Sequence, residues 1–132
     1  MITIIGDPSD QARAFIEFFS KRHPLKKDVV IEFVDTEFIP CNGIRANGVI
    51  RHTTKGPVQI KIANKIVNPV MGIFMNLKAA AHEYAHALQF NRDNLKYKGK
   101  WDRLLENAAD DFAFVEIKAA REAGIIVTES YK

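Results

Sequence analysis

Hydrophobic positions along the chain change period several times, and each change predicts an element. Met1 to Ile5 is a short β-branched run closed by Gly6, followed by Asp7-Pro8, a capping carboxylate with proline at the first helical position. Ala12, Phe15, Ile16 and Phe19 then recur at i, i+3, i+4 and i+7, which predicts a helix over 8–22, stopped by Pro24. Val29 to Val34 reads as a buried strand, and the order strand, helix, strand favours parallel pairing through a right-handed crossover. Asn42-Gly43 and Asn47-Gly48 both suit the positive φ of tight turns, so 36–53 is expected to hold short antiparallel strands or a looped hairpin.

Beyond that hairpin, Val58, Ile60 and Ile62 alternate with Gln59 and Lys61, the pattern of a strand with one packed and one open face, and it fits an exposed sheet edge. Asn68-Pro69 opens a helix that runs to Gln89 with Ile73, Leu77, Ala81, Tyr84 and Leu88 at helical spacings; Gly72 and Asn76 are points at which it can break in two. A polar, basic loop over 91–100 leads to a third helix, opened by Trp101 or Asp102 and stopped at Gly124, with an apolar stripe of Leu105, Ala108, Phe112, Val115 and Ala119. Ile125 to Val127 reads as a last short strand. The elements predict one α+β domain over 1–132: a small mixed sheet with an exposed edge strand, packed on an N-terminal, a central and a C-terminal helix.

Composition narrows this picture. At 132 residues, 47% hydrophobic and 27% charged, the chain is expected to be a single soluble domain able to build its own core, and no run approaches the ~18 apolar residues of a membrane span. A net charge of +3 permits nucleic-acid binding without demanding it, and the stretch Arg92, Lys96, Lys98, Lys100 and Arg103 reads as solvated loop charge, so nucleic acid is not an expected partner. Cys41 is the single cysteine and reads as a small hydrophobe near a turn; with neither a basic leader nor a long apolar run at Met1 to Gly6, a reducing, cytoplasmic setting is expected.

Candidate chemistry lies on the central helix. Residues 82–86 read His-Glu-Tyr-Ala-His, and at 100° per residue His82 and His86 project from one helical face a turn apart, so both imidazoles reach one cation. Glu83 points to the side of that face, where its carboxylate reaches a metal-bound water and not the metal, the position of a general base. A catalytic zinc site commonly takes three protein ligands and leaves the fourth position to water, so one donor is missing. His23 and His52 sit near a helix end and in the hairpin region, whereas the third helix carries Glu106 and Asp110 at i, i+4. Glu106 is therefore the expected third ligand to Zn2+, and Asp110 is placed to accept the outer N–H of a zinc-bound imidazole. Ala109 and Ala113 beside them keep the helix surface shallow enough for close approach.

The pattern His82-Glu83-x-x-His86 followed by Glu106-x-x-x-Asp110 resembles the gluzincin metallopeptidases, thermolysin-like enzymes among them, and Glu106 to Ala113 looks like the glutamate helix of the small ImmA/IrrE-type peptidases. Those peptidases commonly carry Asn where this chain has Asp110, which favours the broader gluzincin label. The resemblance covers about 82–113. It implies a zincin-like fold whose edge strand holds an extended peptide, with Val58 to Ala63 as that segment, and a tyrosine between the second His and the Glu that steadies the oxyanion, a place occupied by Tyr97. No histidine follows Glu106, so any cleft is expected to be open or completed by a partner.

The function expected is a zinc metallopeptidase acting on a peptide or protein. Two alternatives stand beside it: a non-catalytic or regulatory zinc module that binds a protein such as a repressor, and a DNA-associated factor using the basic stretch. Peptide deformylases also pair a cysteine ligand with His-Glu-x-x-His, but Pro40-Cys41-Asn42-Gly43 does not match their cysteine motif.

Overall fold

The computed structural model describes residues 1–51, 55–65, 69–96 and 102–127. Along the chain run β1 (Ile2–Ile5), α1 (Asp10–Arg22), β2 (Val29–Val34), β3 (Ile39–Cys41), β4 (Ile44–Ala46), β5 (Gly48–Arg51), β6 (Val58–Ala63), α2 (Pro69–Asn91) and α3 (Arg103–Glu122). The fold is α+β. Four strands form a mixed sheet in the order β1-β2-β6-β5, with β1, β2 and β6 parallel and β5 antiparallel to β6, while β3 and β4 form a separate antiparallel hairpin.

Period-2 patterning builds one covered sheet face. Val29, Ile31 and Phe33 of β2 and Val58, Ile60 and Ile62 of β6 are buried, in register through the pairs Val29–Val58, Ile31–Ile60 and Phe33–Ile62. Onto these pack Ala12, Phe15, Ile16 and Phe19 of α1 and Leu77, Ala81, Tyr84 and Leu88 of α2, all buried as the helical spacing requires. Phe19 joins the two helices, its ring centroid 5.0 Å from that of Phe15 and 4.9 Å from that of Tyr84.

Several expectations are corrected. Val58 to Ala63 is an interior strand, paired on both sides; β5 is the edge. Alternation reports that one face is open, and an interior strand of a sheet covered on one side shows it as well as an edge does. Asn42 and Gly43 do take positive φ, 51° and 79°, in the β3–β4 turn, but Asn47-Gly48 leads into β5 and makes no such turn. Helix α1 starts at Asp10, capped by the Ser9 hydroxyl accepting from the Ala12 N–H, rather than at Asp7-Pro8. Helix α2 is unbroken through Gly72 and Asn76; the Asn76 amide donates to Asn64 Oδ1 at 2.9 Å and so does not compete with its own backbone.

On α3 the buried face is Ala109, Ala113, Glu116, Ile117 and Ala120, while Ala108 and Val115 of the expected stripe are exposed. An alanine-rich helix offers several weakly apolar stripes, and the one chosen puts its smallest residues against α2. Ile125 to Val127 forms no strand; Ile126 is buried in the core, and the Ile125 N–H closes onto Ala120 O. Cys41 is exposed. Asn68, Trp101, Tyr97 and His52 lie outside the described residues, and among those described no helix is long and apolar enough to cross a membrane.

One charged cluster ties α1 to the other helices. Glu116, 1% exposed, accepts from Arg22 Nε at 2.8 Å and Nη2 at 3.2 Å, and Tyr84 Oη donates to His23 O at 2.6 Å. Removing Arg22 leaves that buried carboxylate with only the His23 ring beside it, Nε2 3.3 Å from Oε2. Arg22→Ala is expected to lower stability by about 2 kcal/mol, less than a fully buried pair would lose because Arg22 is partly exposed. Lys21→Ala, which breaks the exposed pair with Glu17, should leave stability nearly unchanged. Urea denaturation midpoints of the two variants check the contrast.

Candidate metal centre

Helix α2 is rich in Ala, Leu and Met, good helix formers, and presents His82 and His86 on one face with ring centroids 4.8 Å apart. Helix α3 begins where the Asp102 side chain accepts from the Leu104 and Leu105 N–H groups. Its first turn then carries Glu106 toward α2, an approach permitted by the fully buried Ala109 and Ala113. Glu106 Oε2 lies 2.9 Å from His82 Nε2 and 2.7 Å from His86 Nε2, and the two Nε2 atoms are 3.2 Å apart. His82, His86 and Glu106 together could hold a metal ion.

The outer ring nitrogens decide what these atoms offer. His82 Nδ1 is 2.8 Å from Asp110 Oδ1, and an ionised carboxylate can only accept, so Asp110 favours a ring proton on Nδ1. His86 Nδ1 is 2.8 Å from Gln89 Oε1, while Gln89 Nε2 donates to Leu105 O at 3.0 Å, so the amide oxygen likewise favours a ring proton on Nδ1. With the ring protons on Nδ1, both Nε2 atoms would aim lone pairs at the Glu106 oxygen. Two imidazole nitrogens and a carboxylate oxygen converging within 3.2 Å, with each ring anchored at its outer nitrogen, are a donor set that fits a cation. Ligand atoms at about 2.0–2.1 Å from a tetrahedral ion sit roughly 3.3 Å apart, so shifts of a few tenths of an ångström open the triad to coordinating distances.

Around the triad the groups divide by role. Glu83 is 7% exposed and lies outside the ligand set; burial, and then the Glu106 charge, push its carboxyl up to about 8, a shift that a bound cation would oppose. Gly48 explains how the sheet edge comes so near: a Cβ there would stand 2.9 Å from Ile62 Cδ1 and 3.1 Å from Glu83 Cγ. Lys78, one turn before His82, has Nζ 3.9 Å from Asp110 Oδ1 and 5.1 Å from the Phe114 ring centroid. A groove of about 490 Å³ runs over the triad, walled by β5 at Gly48 and Val49, by Ile44 of the hairpin, and by Phe90 and Leu105.

The structure thus brings together His82, His86, Glu106 and Asp110, with Glu83 in the same groove. His23 is instead placed at Glu116, with Nε2 3.3 Å from Oε2. Tyr97 falls outside the described residues. Of the basic stretch, Arg92 is paired with Asp93 at 2.8 Å. Gln89 is the residue sequence reasoning missed; its one signal was its place three residues after His86, on the same helical face. Comparison with family models, with curated proteins and with solved structures finds no match to this chain.

His82→Ala and Glu106→Ala are each expected to abolish stoichiometric metal retention, and because site assembly is coupled to folding, the metal-dependent part of the thermal stability should vanish with it. Metal analysis after dialysis against a weak chelator, with melting curves in the presence and absence of added zinc, checks both. Full retention in either variant would reject that residue as a ligand.

Proposed function

We propose that this chain is a zinc-dependent metallopeptidase of the gluzincin type, hydrolysing peptide bonds in the groove between α2 and the edge strand β5. The observation that carries the proposal is the convergence of His82 Nε2, His86 Nε2 and Glu106 Oε2, with the unligated carboxylate of Glu83 in the same groove. Two imidazoles and a carboxylate suit zinc, and three protein ligands leave room for solvent or substrate. When bound, the ion would polarise a carbonyl and bring the pKa of a coordinated water down toward ~7.

The chain's own residues do the rest. Asp110 holds the His82 ring by its Nδ1–H, and Gln89 does the same for His86. Glu83 takes the proton of the attacking water and delivers it to the leaving amine, a role open to it because no ligand bond occupies its carboxylate. An extended peptide adds to the free edge of β5, where main-chain hydrogen bonds align it beside Glu83 and the Ile44, Val49 and Phe90 walls receive apolar side chains. The Val58 to Ala63 strand has no free edge for this role. With a single, exposed cysteine the chain fits a reducing compartment, and a cytoplasmic setting completes the reading.

Glu83→Gln removes the base and keeps the ligands. Zinc content should stay at the wild-type level while cleavage of a peptide library falls by about 10²–10⁴-fold. Undiminished hydrolysis by this variant would refute the mechanism. A wild-type chain that holds zinc and cleaves nothing would instead be a zinc-stabilised binding module.

A further inference from the structure

The two imidazoles are anchored by groups of different character. The Asp110 carboxylate can only accept, so it offers His82 Nδ1 an acceptor whichever way it turns. Gln89 carries an amide, which can accept at one end and donate at the other, and nothing in His86 itself selects the end it meets. The choice is made by α3: the Leu105 carbonyl, one residue before the ligand Glu106, accepts from Gln89 Nε2 at 3.0 Å and so turns Oε1 toward His86 Nδ1 at 2.8 Å. Gln89 is buried at 7% exposure, so neither amide end can exchange its partner for bulk water without cost.

We propose that Gln89 is a positioning residue that makes His86 a metal ligand only when the first turn of α3 is docked on α2. With Leu105 O in place, the amide oxygen faces the ring, the ring proton stays on Nδ1 and the Nε2 lone pair points at the triad. With Leu105 O withdrawn, the amide is free to turn over; its NH₂ then meets Nδ1, the ring proton moves to Nε2, and the lone pair needed for coordination is lost. Glu106 leaves with the same turn, so two of the three ligands depend on one docking event. The inference rests on the metal-centre reading and holds whether or not a peptide is cleaved.

The test uses the full chain and two readouts besides activity: zinc affinity by competition with a chromophoric chelator, and the tautomers of the metal-free imidazoles from their ¹⁵N resonances at mildly alkaline pH. Circular dichroism confirms folding. In metal-free wild type both rings should carry the proton on Nδ1. Gln89→Leu is expected to move the His86 proton to Nε2, leave His82 unchanged and weaken zinc binding about 10–100-fold. Gln89→Glu supplies an acceptor that needs no help from Leu105, so His86 should remain protonated on Nδ1 and zinc should bind well above the leucine variant.

Equal affinity of folded Gln89→Leu and wild type would overturn the proposal, as would a glutamate variant no better than the leucine one. A wild type that takes up no zinc would overturn the metal centre itself. A zinc-binding wild type with the His86 proton on Nε2 would overturn the Gln89 assignment alone. Should Gln89→Leu fail to fold, the wild-type tautomer and the glutamate variant still decide the matter.

Discussion

Two imidazole Nε2 atoms and a carboxylate oxygen lie within 3.2 Å of one another, and with the ring protons on the outer nitrogens the three would repel unless a cation lay among them. Everything near it serves to hold that arrangement against its own repulsion. Helix α2 sets the spacing of the two rings by its pitch, and α3 delivers Glu106 through a contact surface reduced to methyl groups at Ala109 and Ala113. Bulkier residues there would hold the helix axes apart and move the carboxylate out of reach. The same requirement turns Val115 and Leu104 outward, leaving apolar side chains in solvent that a helix optimised for stability alone would bury.

The sheet places the reactive face in a groove. Three parallel strands end in an antiparallel fourth, β5, which lies close over α2 at Glu83 because Gly48 has no side chain to keep it away. A free strand edge, a buried carboxylate and the triad therefore share one groove, with the β3–β4 hairpin as its outer wall. None of the three alone specifies chemistry; it is their adjacency that supports the proposed path of an extended peptide past the triad.

What could be read from the amino acids follows the physics of each signal. The i, i+4 spacing of His82 and His86 inside an independently helical segment forces the rings together, and Glu106 with Asp110 repeats that spacing on a helix of matching length, so four of the groups now found together were legible. Gln89 was not, because a neutral amide on a helix carries no charge signature and its role depends on a carbonyl sixteen residues away. Val58 to Ala63 alternates faithfully, yet alternation describes a strand's two faces and is silent about its two edges. Asn47-Gly48 looks like a second turn because glycine serves two needs, positive φ and close approach, and here the second governs. On α3 the hydrophobicity of alanine is too small to single out the packed face.

A comparison within α3 separates a structural carboxylate from a functional one. Glu116 and Glu106 lie on the same helix, and both turn toward neighbouring helices. Glu116 is almost wholly buried and meets a guanidinium that matches it with two hydrogen bonds, so its charge is cancelled by the chain itself. Glu106 is more exposed, and its close partners among the described residues are the Nε2 atoms of two rings whose outer nitrogens face the acceptors Asp110 Oδ1 and Gln89 Oε1. A protein that needed only to neutralise Glu106 would place a lysine or arginine there, as it does for Glu116. Two ring nitrogens stand in that place instead, each anchored from behind, and with Glu106 they make a group that could hold a metal ion.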